Sequence, residues 1–84
     1  MPKYGYHARE IKKGEYGTID KIREEFEELM DANEQGNPIM ELCEMADLCG
    51  AIEDYTAQRF SMTLEDVLKM TRATREAFAL GRRK

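Results

Sequence analysis

Residues 38 to 60, PIMELCEMADLCGAIEDYTAQRF, constrain the fold more than any other part of the chain. Asn37 is placed to cap a helix whose first residue is Pro38, the position where proline costs least. Along that helix Ile39, Leu42, Cys43, Met45, Ala46, Leu48, Cys49, Ala51, Ile52 and Tyr55 wrap most of the circumference. A helix of that kind must be surrounded by protein. The chain has 84 residues, one domain near the size at which a single core becomes marginal. The other helices are too few to cover the central one, so a second copy of the chain is the expected cover.

The flanking segments supply those helices. Thr18 is a candidate N-cap, with Lys21 where a capping box prefers Glu, and the helix over 18–35 carries Ile19, Ile22, Phe26, Leu29 and Met30 on one face. Gly36-Asn37-Pro38 ends it. After Ser61-Met62, Thr63 followed by Asp66 resembles a capping box with Asp in place of Glu. The third helix, 63–80, places Leu64, Val67, Leu68, Thr71 and Phe78 on one side, and Gly81 ends it before the basic tail Arg82-Arg83-Lys84. Residues 1–17 lack helical periodicity and read as an ordered arm, with an extended piece from Tyr6 to Ile11 and a turn at Lys13-Gly14. The expected fold is all-α: an antiparallel helical hairpin plus a third helix in a single domain, 1–84, closed into a four-helix-type bundle by dimerisation.

Several function classes are set aside by composition. The formal net charge of −4 argues against a general nucleic-acid surface. No apolar run is long enough to cross a bilayer and Met1-Pro2-Lys3 lacks a signal-peptide core, so no membrane partner and a cytoplasmic location are expected. Cys43 and Cys49, six apart on one helix, have α-carbons about 9 Å apart, too far for a disulfide. They read as reduced core residues. With His7 as the single histidine and no CxxC, a Cys/His zinc site lacks ligands.

The informative feature is acidic. Glu41, Glu44 and Asp47 interrupt the apolar helix, and the preceding helix reads KIREEFEELMDA with Glu24, Glu25, Glu27 and Glu28. Residues three or four apart on a helix have β-carbons about 5 to 6 Å apart, so Glu25/Glu28 and Glu44/Asp47 form two pairs. Two such pairs on antiparallel helices repel one another unless a hard divalent cation lies between them, and Mg²⁺ (or Mn²⁺) with oxygen ligands and substrate phosphates suits that arrangement. Glu41, about 120° round the helix from Asp47, is left at the rim. The alternative for EEFEEL is a solvated face supported by Lys21 and Arg23.

The order EExxEL, a short turn, then ExxD, here Glu24-Glu25-Phe26-Glu27-Glu28-Leu29 and Glu44-Met45-Ala46-Asp47-Leu48, resembles the MazG-like all-α nucleoside triphosphate pyrophosphohydrolases. The resemblance spans about residues 18 to 80. The short format and the KGEYG lead-in are similar to small MazG-like proteins of bacteriophages, which would place the chain in a host cytoplasm. It implies a homodimer, or a dimer of dimers, that uses Mg²⁺ to convert a (d)NTP to (d)NMP and pyrophosphate by water attack at the α-phosphorus. Carried over by position, Glu25, Glu28, Glu44 and Asp47 would be metal ligands, and Glu24 an auxiliary acid that orients or deprotonates water beside Glu25.

The leaving pyrophosphate needs cations, and Lys12, Lys13, Lys69, Arg72 and Arg75 are the candidates, each with a solvated basic side chain as the plain alternative. Tyr4, Tyr6 and Tyr16 either stack on a base or anchor the arm. His7 reads as a surface or packing residue, and the Gly14-to-Gly17 spacing is too short to mark a phosphate loop. Many members of the family continue beyond the third helix with a further helix and a basic motif that this sequence does not show, which puts strong catalysis in question. Two other readings therefore stand beside the enzyme: a non-catalytic nucleotide-binding protein of the same fold, and a small acidic helical protein that binds a basic partner.

Overall fold

The computed structural model describes residues 7 to 81, and the expectations for Tyr4, Tyr6 and the tail Arg82-Arg83-Lys84 lie outside those residues. Three helices follow one another: α1, Ile19–Glu34; α2, Pro38–Phe60; and α3, Leu64–Ala79. No strand occurs among the described residues, though His7, in the piece expected to be extended, forms an isolated β-bridge, and none of the three helices is long and apolar enough to cross a membrane.

Local chemistry accounts for each boundary. The Asn37 side chain accepts the Met40 N–H at 3.1 Å, with Pro38 at the first turn. Thr63 accepts the Asp66 N–H at 3.1 Å while Asp66 accepts the Thr63 N–H at 3.0 Å, a reciprocal cap that satisfies two amides without partners inside the helix. Thr18 occupies the N-cap of α1, yet its hydroxyl donates back to the Glu15 carbonyl at 2.7 Å instead of accepting from the helix. The neighbouring turn runs through Tyr16-Gly17 and not through Lys13-Gly14. Gly17 supplies the positive φ of 85° that this turn requires, while Gly14 lies so close to α1 that a Cβ there would come within 2.5 Å of the Asp20 and Lys21 backbone.

α1 and α2 pack closely as a hairpin, the arm lies against α1, and α3 touches α2 without reaching α1. The radius of gyration is 15.3 Å, against about 12 Å for a compact domain of this length. α3 therefore extends the molecule instead of closing its core. Buried hydrophobic residues are few among the described residues: Ile11 of the arm, Ala32 of α1 and Ala51 of α2. The apolar stripes point outward, with Ile19, Phe26 and Met30 exposed on α1 and Ile39, Leu42 and Met45 exposed on α2.

This arrangement corrects two expectations. Cys43 and Cys49 are exposed on the single chain and do not lie in its core. The EEFEEL segment is not a solvated face, because Glu24, Glu25 and Glu28 are buried between the helices and the arm while Phe26 faces out. Helical periodicity fixes the relation between the two stripes, and the interior of the hairpin takes the acidic one.

Candidate metal centre

The inner stripe of α1 follows the helical period through Lys21, Glu24, Glu25, Glu28 and Asp31. Small residues at Ala32 and Ala51, with Gly14 on the arm, let backbone approach this stripe closely. Facing it from α2 are Glu44, which is buried, and Asp47, exposed at the rim. Carboxylate oxygens of Glu25, Glu44 and Asp47 lie within 4.8 Å of one another, as do those of Glu24, Glu25 and Glu28. All four expected ligands, Glu25, Glu28, Glu44 and Asp47, thus belong to one connected cluster.

The acids divide into those whose charge is already balanced and those whose charge is not. Glu24 is 3 % exposed; burial alone would raise its pKa, but the Gly14 N–H at 2.8 Å, Lys21 at 3.2 Å and Lys13 at 3.5 Å outweigh it and hold the carboxyl below its ordinary range. Asp31 behaves likewise: burial is outweighed by His7 Nδ1 at 2.9 Å, the Gln35 amide at 2.7 Å and the Ala8 N–H at 3.2 Å. Glu25 goes the other way, because burial and the neighbouring Glu28 carboxylate prevail over Lys21. Glu28 is also raised, by burial and by the Glu44 and Glu24 carboxylates.

One oxygen of Glu25 and one of Glu44, Oε2 in each case, are buried without a hydrogen-bond partner among the described residues. An ionised carboxylate left in that state is strongly destabilising. These two residues sit on opposite helices and share one of the clusters, so a single cation can answer both. The donor set at Glu25, Glu28, Glu44 and Asp47 is all oxygen and fits a hard divalent ion.

The expected phosphate-binding cations are distributed unevenly. Lys13 reaches the cluster, with Nζ 3.5 Å from Glu24 and 3.6 Å from Glu28. Lys12 is exposed on the arm. Lys69, Arg72 and Arg75 lie on α3, which does not touch α1, and among the described residues none of them pairs with a cluster acid. Arg75 instead lines an apolar cleft of about 490 Å³ between α2 and α3, beside Phe60, Met70 and Phe78. Glu41 stands apart from the cluster, accepting from the Asn33 amide at 3.2 Å.

Three contributors lie outside the expected set. Lys21, buried for a lysine, is 3.0 Å from Glu25 and 3.2 Å from Glu24; burial lowers its pKa, and the two carboxylates more than reverse that, holding it charged. Its i+3 and i+4 spacing to those acids is a legible signal. Asp31 continues the Glu24–Glu28 stripe one turn further. His7 carries no such signal, because it reaches the cluster from 24 residues away; it is buried, which favours the packing alternative over the surface one. Beside the cluster, Tyr16, Lys21, Glu25, Asp47, Gly50 and Asp54 border a cleft of about 320 Å³, and Lys21 Nζ stands 4.7 Å from the Tyr16 ring centroid.

Set against protein-family models, curated proteins and solved structures, the chain matches none of them.

Proposed function

We propose that the protein is a Mg²⁺-dependent nucleotide pyrophosphohydrolase that works as a homodimer, converting a (d)NTP to (d)NMP and pyrophosphate. The observation that carries this reading is the pair of unpartnered buried oxygens on Glu25 and Glu44, on facing helices. It adds to the resemblance of the two acidic motifs to the MazG-like family. A carboxylate cage serves a substrate whose own oxygens are anionic, since a cation held there is shared between protein and phosphates.

Glu25, Glu28, Glu44 and Asp47 would hold the ion. When bound, a divalent cation offsets charge on the phosphate oxygens and acidifies water. The cleft bordered by Tyr16, Lys21 and Asp47 takes the nucleotide. Lys21, held charged, faces the phosphates, and Tyr16 offers its ring to the base. Water attacks the α-phosphorus, the bond to the bridging oxygen breaks and pyrophosphate leaves. The proton would pass to a carboxylate beside the ion, with Glu24 and Glu25 as the candidates.

The inverted hairpin supports the dimer. Leu42 is 72 % and Ile39 79 % exposed, and on the side where the two stripes meet Met30 and Met45 line one shallow cleft. A second copy applied to that side covers both stripes and creates the apolar core that one chain lacks. The variants Glu44→Gln and Asp47→Asn test the reading. They are expected to abolish pyrophosphate release while the dimer persists. Nucleotide binding without turnover in the parent protein would replace the enzyme by a nucleotide-sequestering protein, and the absence of any nucleotide effect would leave an acidic interaction protein.

A further inference from the structure

The cluster has a nitrogen donor on its arm side. His7 Nδ1 is 2.9 Å from Asp31 Oδ2, and the same carboxylate oxygen accepts from Gln35 at 2.7 Å and from the Ala8 N–H at 3.2 Å. Asp31 is 2 % exposed and, with these donors around it, ionised. A neutral imidazole in that position gives its one N–H to Asp31, which leaves the lone pair on Nε2. Nε2 stands 3.7 Å from Glu44 Oε1 and 3.9 Å from Glu28 Oε2.

Both gaps are longer than a hydrogen bond. Two donors each about 2.1 Å from a common ion stand about 3.0 to 4.2 Å apart, from right-angled to opposed, a range that includes both. The other oxygen of Glu44, Oε2, is buried and has no hydrogen-bond partner among the described residues. A carboxylate behind an imidazole that faces further carboxylates is the arrangement by which proteins orient histidine toward a metal.

We infer that His7, Glu28 and Glu44 form a site for a divalent first-row transition ion, with Asp31 as the residue that positions His7. One imidazole with two carboxylates favours Mn²⁺, Fe²⁺ or Co²⁺ over Mg²⁺, which takes oxygen. The site shares Glu28 and Glu44 with the proposed magnesium cage and needs no nucleotide. An ion there would add a further tie between the arm and the hairpin to the contacts that Asp31 and Glu24 already make with His7, Ala8 and Gly14.

The test uses the full-length chain stripped of metal, titrated with Mn²⁺ alone and read by pulsed electron paramagnetic resonance for coupling to an imidazole nitrogen. The parent protein is expected to show that coupling, and Glu25→Gln, outside the His7 group, to keep it. His7→Asn is expected to lose it with helicity unchanged by circular dichroism. Asp31→Asn is expected to keep the nitrogen signal and to bind Mn²⁺ about 10- to 100-fold more weakly. Bound Mn²⁺ without nitrogen coupling in the parent, coupling that survives His7→Asn, or unchanged affinity in Asp31→Asn overturns the inference. Its failure is separable from that of the proposed enzyme. Mg²⁺-dependent pyrophosphate release with no nitrogen coupling removes only the His7 site, and coupling with no release removes only the hydrolase.

Discussion

Glu25 on α1 and Glu44 on α2 meet across the hairpin, each with one buried carboxylate oxygen that none of the described residues satisfies. The metal-free protein is therefore strained at this point by charge. Glu44→Gln removes one of the two charges at nearly constant volume. It is expected to stabilise the metal-free form by about 1 kcal/mol, a rise of several degrees in melting temperature, and to remove most of the stabilisation expected from Mg²⁺ in the parent. Thermal melts in chelator and in excess Mg²⁺ measure both. A metal-free Glu44→Gln protein that melts well below the parent contradicts this picture of the cluster.

The pH dependence has two opposed parts. Glu25 and Glu28 have raised pKa values in the folded state, so their penalty is absent below the ordinary glutamate value of about 4.3 and grows as pH rises through their folded values. Glu24 and Asp31 have lowered values, so their contribution is present above about 4 and is lost as pH falls through their folded values. Metal-free stability is expected to peak near pH 4 to 5 and to decline toward neutrality. Saturating Mg²⁺ should remove the decline on the neutral side. Denaturant titrations at three pH values check it, and metal-free stability that rises steadily from pH 4.5 to 7.5 would count against the raised pair.

Lys21 acts as the internal counter-cation of the cage. Lys21→Gln leaves Glu24 and Glu25 with less compensation, and a lost buried charge-assisted contact costs about 1.5 to 3 kcal/mol. The metal-free variant is expected to be less stable by that order and to bind Mg²⁺ several-fold more tightly, because the cage is more negative. Calorimetric titration with Mg²⁺ reads the second effect. Weaker Mg²⁺ binding in the variant would show that Lys21 supports the cage instead of competing with the ion.

The outward stripe predicts how the dimer is lost. Leu42→Lys places a charge in the middle of the surface that a second copy is proposed to cover, while Arg72, on α3, lies away from it. Sedimentation is expected to show Leu42→Lys as a monomer with reduced stability and Arg72→Ala as a dimer. A parent protein that sediments as a monomer at all accessible concentrations would dismiss the second copy as the cover.

Helix boundaries were legible because local chemistry sets them: Asn37-Pro38 and Thr63/Asp66 act within one turn of their own positions. The two acid pairs were legible because helical spacing places Glu25 beside Glu28 and Glu44 beside Asp47 whatever the rest of the fold does. Which stripe faced inward was not legible. Periodicity defines both the Glu24–Glu28 face and the Phe26–Met30 face, and the choice depends on the arm and on what covers the hairpin from outside. His7 was invisible for a related reason, since its place beside Glu28 and Glu44 is fixed by the Asp31 contact and by the closeness of Gly14 to α1.

The proposed reaction is decided by incubating the purified protein with a panel of NTPs and dNTPs in ¹⁸O-labelled water, with and without Mg²⁺, and resolving the products by mass. A pyrophosphohydrolase forms nucleoside monophosphate and pyrophosphate from at least one member of the panel, only with Mg²⁺ present and with the label in the monophosphate. Orthophosphate with nucleoside diphosphate, or no turnover of any member, would contradict it.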